Sequence, residues 1–182
     1  VALLVPTMLA GSMGMNDIVE AQSVWFIISA PIAALVFLVA SIAEVGRTPF
    51  DLLEAESEIV AGFHIEYSGM KFGLWMLGEF AHAFTISALT AVLFLGGWRG
   101  PLVDQFPILG IFYFLAKTYF VYLFTLWIRV TLPRIRIDQM NDLNWKFLVP
   151  LSLAMLVMMS VVYKAVPSGV SEAVRSLVLF SA

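Results

Sequence analysis

The chain contains no cysteine in its 182 residues. That absence excludes disulfides, iron–sulfur clusters and thiolate-bound zinc as features of this polypeptide. Histidine is almost as scarce. His64 falls in a polar stretch and His82 in an apolar one, which argues against a haem held between two intramembrane histidines. Charge is thin as well: 13% of residues are charged, about half the share in a soluble domain. No basic run marks a nucleic-acid surface, and the few arginines and lysines sit at the ends of apolar stretches. No G-x-x-x-x-G-K-[ST] loop is present to cradle a nucleotide phosphate.

What fills the chain is hydrocarbon. Hydrophobic residues make up 61% and the mean hydropathy is +0.94, which places the chain among membrane proteins. A bilayer core of ~30 Å at ~1.5 Å per helical residue asks for about 20 apolar residues per span. Four stretches meet this: roughly Ser23–Ala43, Phe72–Leu95, Pro107–Val130 and Phe147–Val166. All must be helical, because backbone groups cannot face lipid unpaired. The apolar run Val1–Ala10 reads as the end of a helix begun further upstream, and Ala173–Ala182 as the start of another or an interfacial one. Pro31 should kink the first span. The expectation is a single membrane domain over 1–182, all-α, with about four complete transmembrane helices and partial helices at both ends. Arg47, Lys71, Arg129, Arg134, Arg136 and Lys146 fall on one side of the membrane, against Arg99, Lys164 and Arg175 on the other. The positive-inside bias therefore puts segments 44–71 and 132–146 in the cytoplasm.

The segment from Glu44 to Lys71 reads EVGRTPFDLLEAESEIVAGFHIEYSGMK and holds most of the acid. Gly46 suits the left-handed end of the first span. Thr48-Pro49-Phe50-Asp51 reads as a helix start, with Thr48 as N-cap and Pro49 at N1, giving a short acidic loop helix to about Ala61. On that helix Asp51, Glu54 and Glu58 share a face, while Glu56 points elsewhere. A solvated acidic surface and a face packed on a partner both fit this pattern. Glu44 ends a helix, where the macrodipole disfavours an anion, and Arg47 is its nearest cation in sequence.

Three ionisable residues fall inside spans. Glu79 and His82, three apart, share a face of the second span, and a charge at that depth marks a polar interior or an ion path. His82 has the simpler reading of a hydrogen-bonded core histidine. Lys117, near the middle of the third span, should pair with a buried acid or line a hydrated cavity. Arg129, Arg134 and Arg136 flank a proline in WIRVTLPRIRIDQ, where they serve topology or a partner contact. Trp127 and Trp145 read as interfacial anchors.

Two long strings carry a resemblance. AEVGRTPFDLLEAESEIVAGFHIEYSGMKFGLWMLGEFAH (Ala43–His82) and FTLWIRVTLPRIRIDQMNDLNWKFLVPL (Phe124–Leu151) are similar to the two signatures of the quinone-channel (H) subunit of NADH:quinone oxidoreductase, respiratory complex I. The chain resembles the C-terminal half of that subunit. The resemblance implies a multi-pass subunit of the bacterial inner membrane that joins other membrane and peripheral-arm subunits and forms part of a quinone channel. Quinone is then a substrate, while flavin and iron–sulfur clusters reside in partner subunits. Glu44, Asp51, Glu54, Glu56, Glu58, Glu66 and Glu79 match the family's glutamate-lined proton path, and Lys117 matches a family lysine. Arg47, Phe50, Arg134 and Arg136 fall in the vicinity of the quinone channel. Val45-Gly46 and His82 depart from the usual family residues. The rival readings are the homologous membrane subunit of an energy-converting hydrogenase and a stand-alone proton-coupled transporter. The latter predicts inverted repeats that the chain lacks.

Overall fold

The computed structural model describes residues 1–22, 24–52, 66–103 and 105–165. Every regular element among them is helical. Two short helices open the chain, α1 (Leu4–Ala10) and α2 (Met15–Ala21). Gly11 stops α1 in the left-handed conformation, φ 70°, where a Cβ is penalised and glycine is not. Val5, Ile18 and Val19 are buried where these helices meet the rest of the protein. The sequence suggested the end of α1; it did not suggest α2, whose seven residues carry only Ile18 and Val19 as a buried stripe.

The first predicted span is broken. A single turn, α3 (Phe26–Ser29), precedes α4 (Pro31–Val45). Ala30 between them leaves helical geometry at φ −140°, ψ 64°. Pro31 is the cause: it has no N–H to offer the preceding turn, and its ring would meet the carbonyl four residues back. It is accepted as the first residue of the new helix, where the missing N–H has no intrahelical partner anyway. Gly46 ends α4 at φ 68°, as the sequence indicated.

Three further helices are long. These are α5 (Gly69–Phe94), α6 (Ile108–Thr131), and a final run formed by α7 (Ile137–Asp142), a π-helical segment (Leu143–Leu148) and α8 (Val149–Ala165). The last begins ten residues before the expected Phe147. The π segment lies next to Pro150, which has no N–H for the carbonyl of Lys146, and a widened turn relieves the crowding its ring causes. Helices Gly69–Phe94, Ile108–Thr131 and Ile137–Val161 are each long and apolar enough to cross a membrane. The fifteen residues of α4 reach only about 22 Å by helical rise and fall short of spanning without the turn before them. Among the described residues, three spanning-length helices and one shorter apolar helix therefore stand where four complete spans were expected.

The fold is held by a core at one end of the bundle. Phe94 is fully buried with its ring 5.6 Å from that of Phe37, and Val5, Ile18, Phe26, Ala33 and Met159 surround them. α5 and α6 form the main antiparallel pair. Phe84 packs edge-on to Tyr119 and Tyr122, at 5.7 and 6.3 Å. Much of the remaining apolar surface is open: Leu123, Phe120 and Trp127 of α6 and Trp145 all stand exposed. Helices apolar around their whole circumference require lipid or neighbouring helices outside them.

Candidate functional site

The site lies at the end of the bundle where α4 finishes, α5 begins and α6 hands over to α7. Gly46 turns the chain sharply off α4, and Arg47, the next residue, swings back toward α5. Its Nη2 meets Oε1 of Glu79 at 2.8 Å. The two side chains are 14% and 13% exposed. The guanidinium also lies over the Phe80 ring, 5.1 Å from its centre. Glu79 is ten residues past the start of α5, so this pair sits about 15 Å along the helix axis. A partly dry carboxylate is thus neutralised by a cation from a loop rather than by one from a helix.

This pairing corrects the sequence reading of Arg47. Glu44 is not its partner: Glu44 is exposed and faces a separate recess between α4 and the π segment. The three-residue spacing would suit a helical pair, but Gly46 breaks the helix between the two and redirects the later one. The helix start at Pro49 is also corrected. Residues 48–52 form a turn without helical structure, with a cis Thr48–Pro49 bond, a hydrogen bond from Phe50 N–H to the Arg47 carbonyl of 2.8 Å and one from Leu52 N–H to the Phe50 carbonyl of 2.9 Å. The Pro49 carbonyl accepts from the Ile135 backbone N–H at 3.1 Å, so it is committed to the α6–α7 connection and not to a helix. Phe50 is buried beneath this turn.

That backbone bond brings the two polar strings together. Arg134 and Arg136 flank Ile135 in the α6–α7 connection; Arg134 is half-buried and Arg136 exposed. The Arg136 backbone N–H donates to the Gln139 side chain at 3.1 Å, which closes the first turn of α7. Asp51 is half-buried in the same region and Glu66 is exposed just before α5. Glu54, Glu56, Glu58, His64 and the remainder of the acidic loop helix lie outside the described residues. So does the C-terminal stretch Ala173–Ala182. His82 shares a shallow recess with Glu79, Trp75 and Gly78, but it is exposed and is not a core histidine. Among the described residues, no three of His, Asp and Glu gather as metal ligands.

Lys117 belongs to the opposite end of the bundle. Its Nζ donates to the carbonyls of Arg99 (2.7 Å) and Gly97 (3.0 Å) and lies 5.3 Å from the centre of the Trp25 ring. Neither partner is an acid. Side chains on a helix lean toward its N-terminus, and the loop after α5 bends down to meet this one. Gly96 and Gly97 make that bend at φ 74° and 48°. Two residues that sequence reasoning did not single out complete the arrangement. Gln22 is buried and its side-chain amide donates to the carbonyls of Val92 and Leu93 at 3.0 and 3.2 Å. Arg99 Nη1 donates to the carbonyls of Glu20 (2.8 Å) and Gln22 (3.1 Å), at the end of α2. The consecutive glycines and the isolated glutamine were the only available signals, and neither names its partner.

A chain whose described elements are all helical, three of them apolar and of spanning length, with a half-dry arginine–glutamate pair near one end, belongs to the class of multi-pass membrane proteins that keep charge inside the bundle. Comparison with known proteins specifies which. The NADH dehydrogenase family model matches residues 1–160. The H subunit of NADH-quinone oxidoreductase from Dehalococcoides mccartyi (strain CBDB1) is 56% identical over 156 residues, covering 86% of this chain and 43% of the relative. The same subunit from Geobacillus sp. (strain WCH70) is 50% identical over 154 residues, covering 84% of this chain and 46% of the relative. An H subunit of the same enzyme from Geobacter sulfurreducens, the one numbered 2, is 51% identical over 152 residues, covering 82% and 45% respectively. The chain belongs to the NADH dehydrogenase family. It spans less than half the length of these relatives.

Proposed function

We propose that the chain is part of the membrane subunit of a bacterial NADH:quinone oxidoreductase, where it helps form the quinone channel and links quinone chemistry to proton movement. The observation that carries this is the Arg47–Glu79 pair. Its acid belongs to a membrane helix and its cation to a loop. That loop is tied through Pro49 and Ile135 to the arginine-bearing α6–α7 connection. Parting the pair leaves a half-dry carboxylate that must be neutralised by another cation or by a proton. A quinone reduced near Phe50, Arg134 and Arg136 would pull on Arg47 electrostatically and so alter what neutralises Glu79. Glu44, Asp51, Glu54, Glu56, Glu58 and Glu66 supply carboxylates on the same loop side, to which protons can be passed. Lys117, held by carbonyls at the far end, serves as the loop clamp in this reading, and any proton role would need it to leave those bonds.

Electrons in this scheme come from flavin and iron–sulfur clusters of partner subunits, and the loop side faces the peripheral arm in the cytoplasm. Glu79→Gln in the whole assembly is the test. We expect quinone reductase activity and proton pumping to fall together by at least tenfold, with NADH oxidation by a water-soluble acceptor upstream of the quinone unchanged. Pumping at the wild-type rate in assembled enzyme would refute the relay.

A further inference from the structure

α4, α5 and α6 do not close on each other along their full length. Between them runs an apolar groove walled by Leu38 and Ile42 of α4, Ile86 of α5, and Val121 and Leu126 of α6. Two guanidinium groups border it, those of Arg47 and Arg129. Arg47 is neutralised by Glu79. The Arg129 side chain, in the last turn of α6 on a half-buried residue, has no hydrogen-bond or ion-pair partner among the described residues. The helix C-terminus tolerates a cation there, but it supplies no discrete anion.

The groove has the length of one membrane leaflet. From Val121 to Arg129 the axis of α6 advances about 12 Å, and from Phe80 to Thr90 that of α5 advances about 15 Å. Half of a ~30 Å hydrocarbon core is about 15 Å. The cation stands at the end of the groove where the sequence bias places the membrane surface, which is the depth of a lipid phosphate. Apolar walls of leaflet length, closed by a guanidinium lacking an anion among the described residues, complement an acyl chain joined to a phosphate.

We propose that this groove binds an anionic phospholipid, with one acyl chain lying between α4 and α6 and the phosphate held by Arg129. Arginine is suited to this because its planar fork gives two parallel hydrogen bonds to phosphate oxygens. A neutral quinone would fill the walls equally well but leave Arg129 without a counter-charge. The proposal does not depend on the proton-coupling reading: it uses the Arg47–Glu79 ion pair only as the contact that occupies Arg47, and it does not use the acidic loop.

The test uses phosphatidylglycerol and phosphatidylcholine carrying a photoactivatable diazirine at the end of one acyl chain, added to membranes containing the whole assembly. Irradiation followed by peptide mapping reports where each lipid lies. We expect phosphatidylglycerol to label 83–94 and 118–126 in about fivefold excess over phosphatidylcholine, the selectivity of one basic residue at the surface. Arg129→Gln should bring the ratio to one, and Arg129→Lys should keep most of it. Ala83→Phe, which fills the groove and leaves Arg129 in place, should abolish labelling by both lipids, and it decides the matter if Arg129→Gln does not assemble. Equal labelling by the two lipids in the unaltered protein, or a preference that survives Arg129→Gln, would overturn the proposal. So would displacement of the label by a short-chain quinone at concentrations where unlabelled phosphatidylglycerol does not compete.

Discussion

Replacing both members of the Arg47–Glu79 pair should cost less than the sum of the two single replacements, and the structure sets the asymmetry between the singles. Breaking a buried pair from one side typically destabilises by about 3–5 kcal/mol because a charge is left uncompensated. Here the side chains are 14% and 13% exposed, so some water reaches them and about 2–3 kcal/mol is expected. The two single changes should differ. Glu79→Gln leaves Arg47 over the Phe80 ring, a contact worth about 0.5–1 kcal/mol. Arg47→Met strands a carboxylate inside α5 with no such compensation from Phe80, so it should be the more damaging. The double variant should fall short of the sum by about 2 kcal/mol, within the range for contacting residues. The measurement is unfolding of the full-length subunit by sodium dodecyl sulfate titration in mixed micelles, applied to all four members of the cycle. Single effects that add to within about 0.5 kcal/mol would refute the inference that the pair is a coupled unit.

Lys117→Met removes two charge-assisted hydrogen bonds to the Gly97 and Arg99 carbonyls; we expect a loss of about 2 kcal/mol or more and faster proteolysis within 95–107, whereas an intact loop would count against the clamp. Gly97→Ala should destabilise by about 1–2 kcal/mol, because φ is +48° and the new Cβ would lie 2.9 Å from Val19 Cγ2. Gly73→Ala, in α5 with nothing within 4 Å, is the matched control and should be neutral or slightly stabilising in the same titration. Phe94→Ala, at a fully buried position, should cost about 3–5 kcal/mol in that assay. Ser68→Cys, exposed ahead of α5, should react with a membrane-impermeant thiol reagent from the cytoplasmic face, and labelling from the opposite face alone would reverse the proposed orientation.

By itself the sequence determined the all-helical membrane character, the places of α5 and α6 to within three residues, the break at Pro31 and the stop at Gly46. Each rests on local chemistry: hydrophobic length, a proline without a donor, a glycine free to take positive φ. The two long polar strings were also enough to indicate the family. Partner choice was not legible. Arg47 lies three residues from Glu44 but pairs with Glu79, because one left-handed residue at Gly46 redirects the chain. Lys117 looked like a cation awaiting an acid, yet two glycines at positive φ bring backbone carbonyls to it from twenty residues away. The Pro49 carbonyl takes a bond from Ile135, and that removed the helix start which Thr48-Pro49 advertised. In each case the deciding contact is long in sequence and short in space. Local propensity is worth a fraction of a kcal/mol per residue, whereas leaving a half-dry charge or carbonyl unpaired costs several times more. Tertiary structure therefore decided which groups neutralise one another.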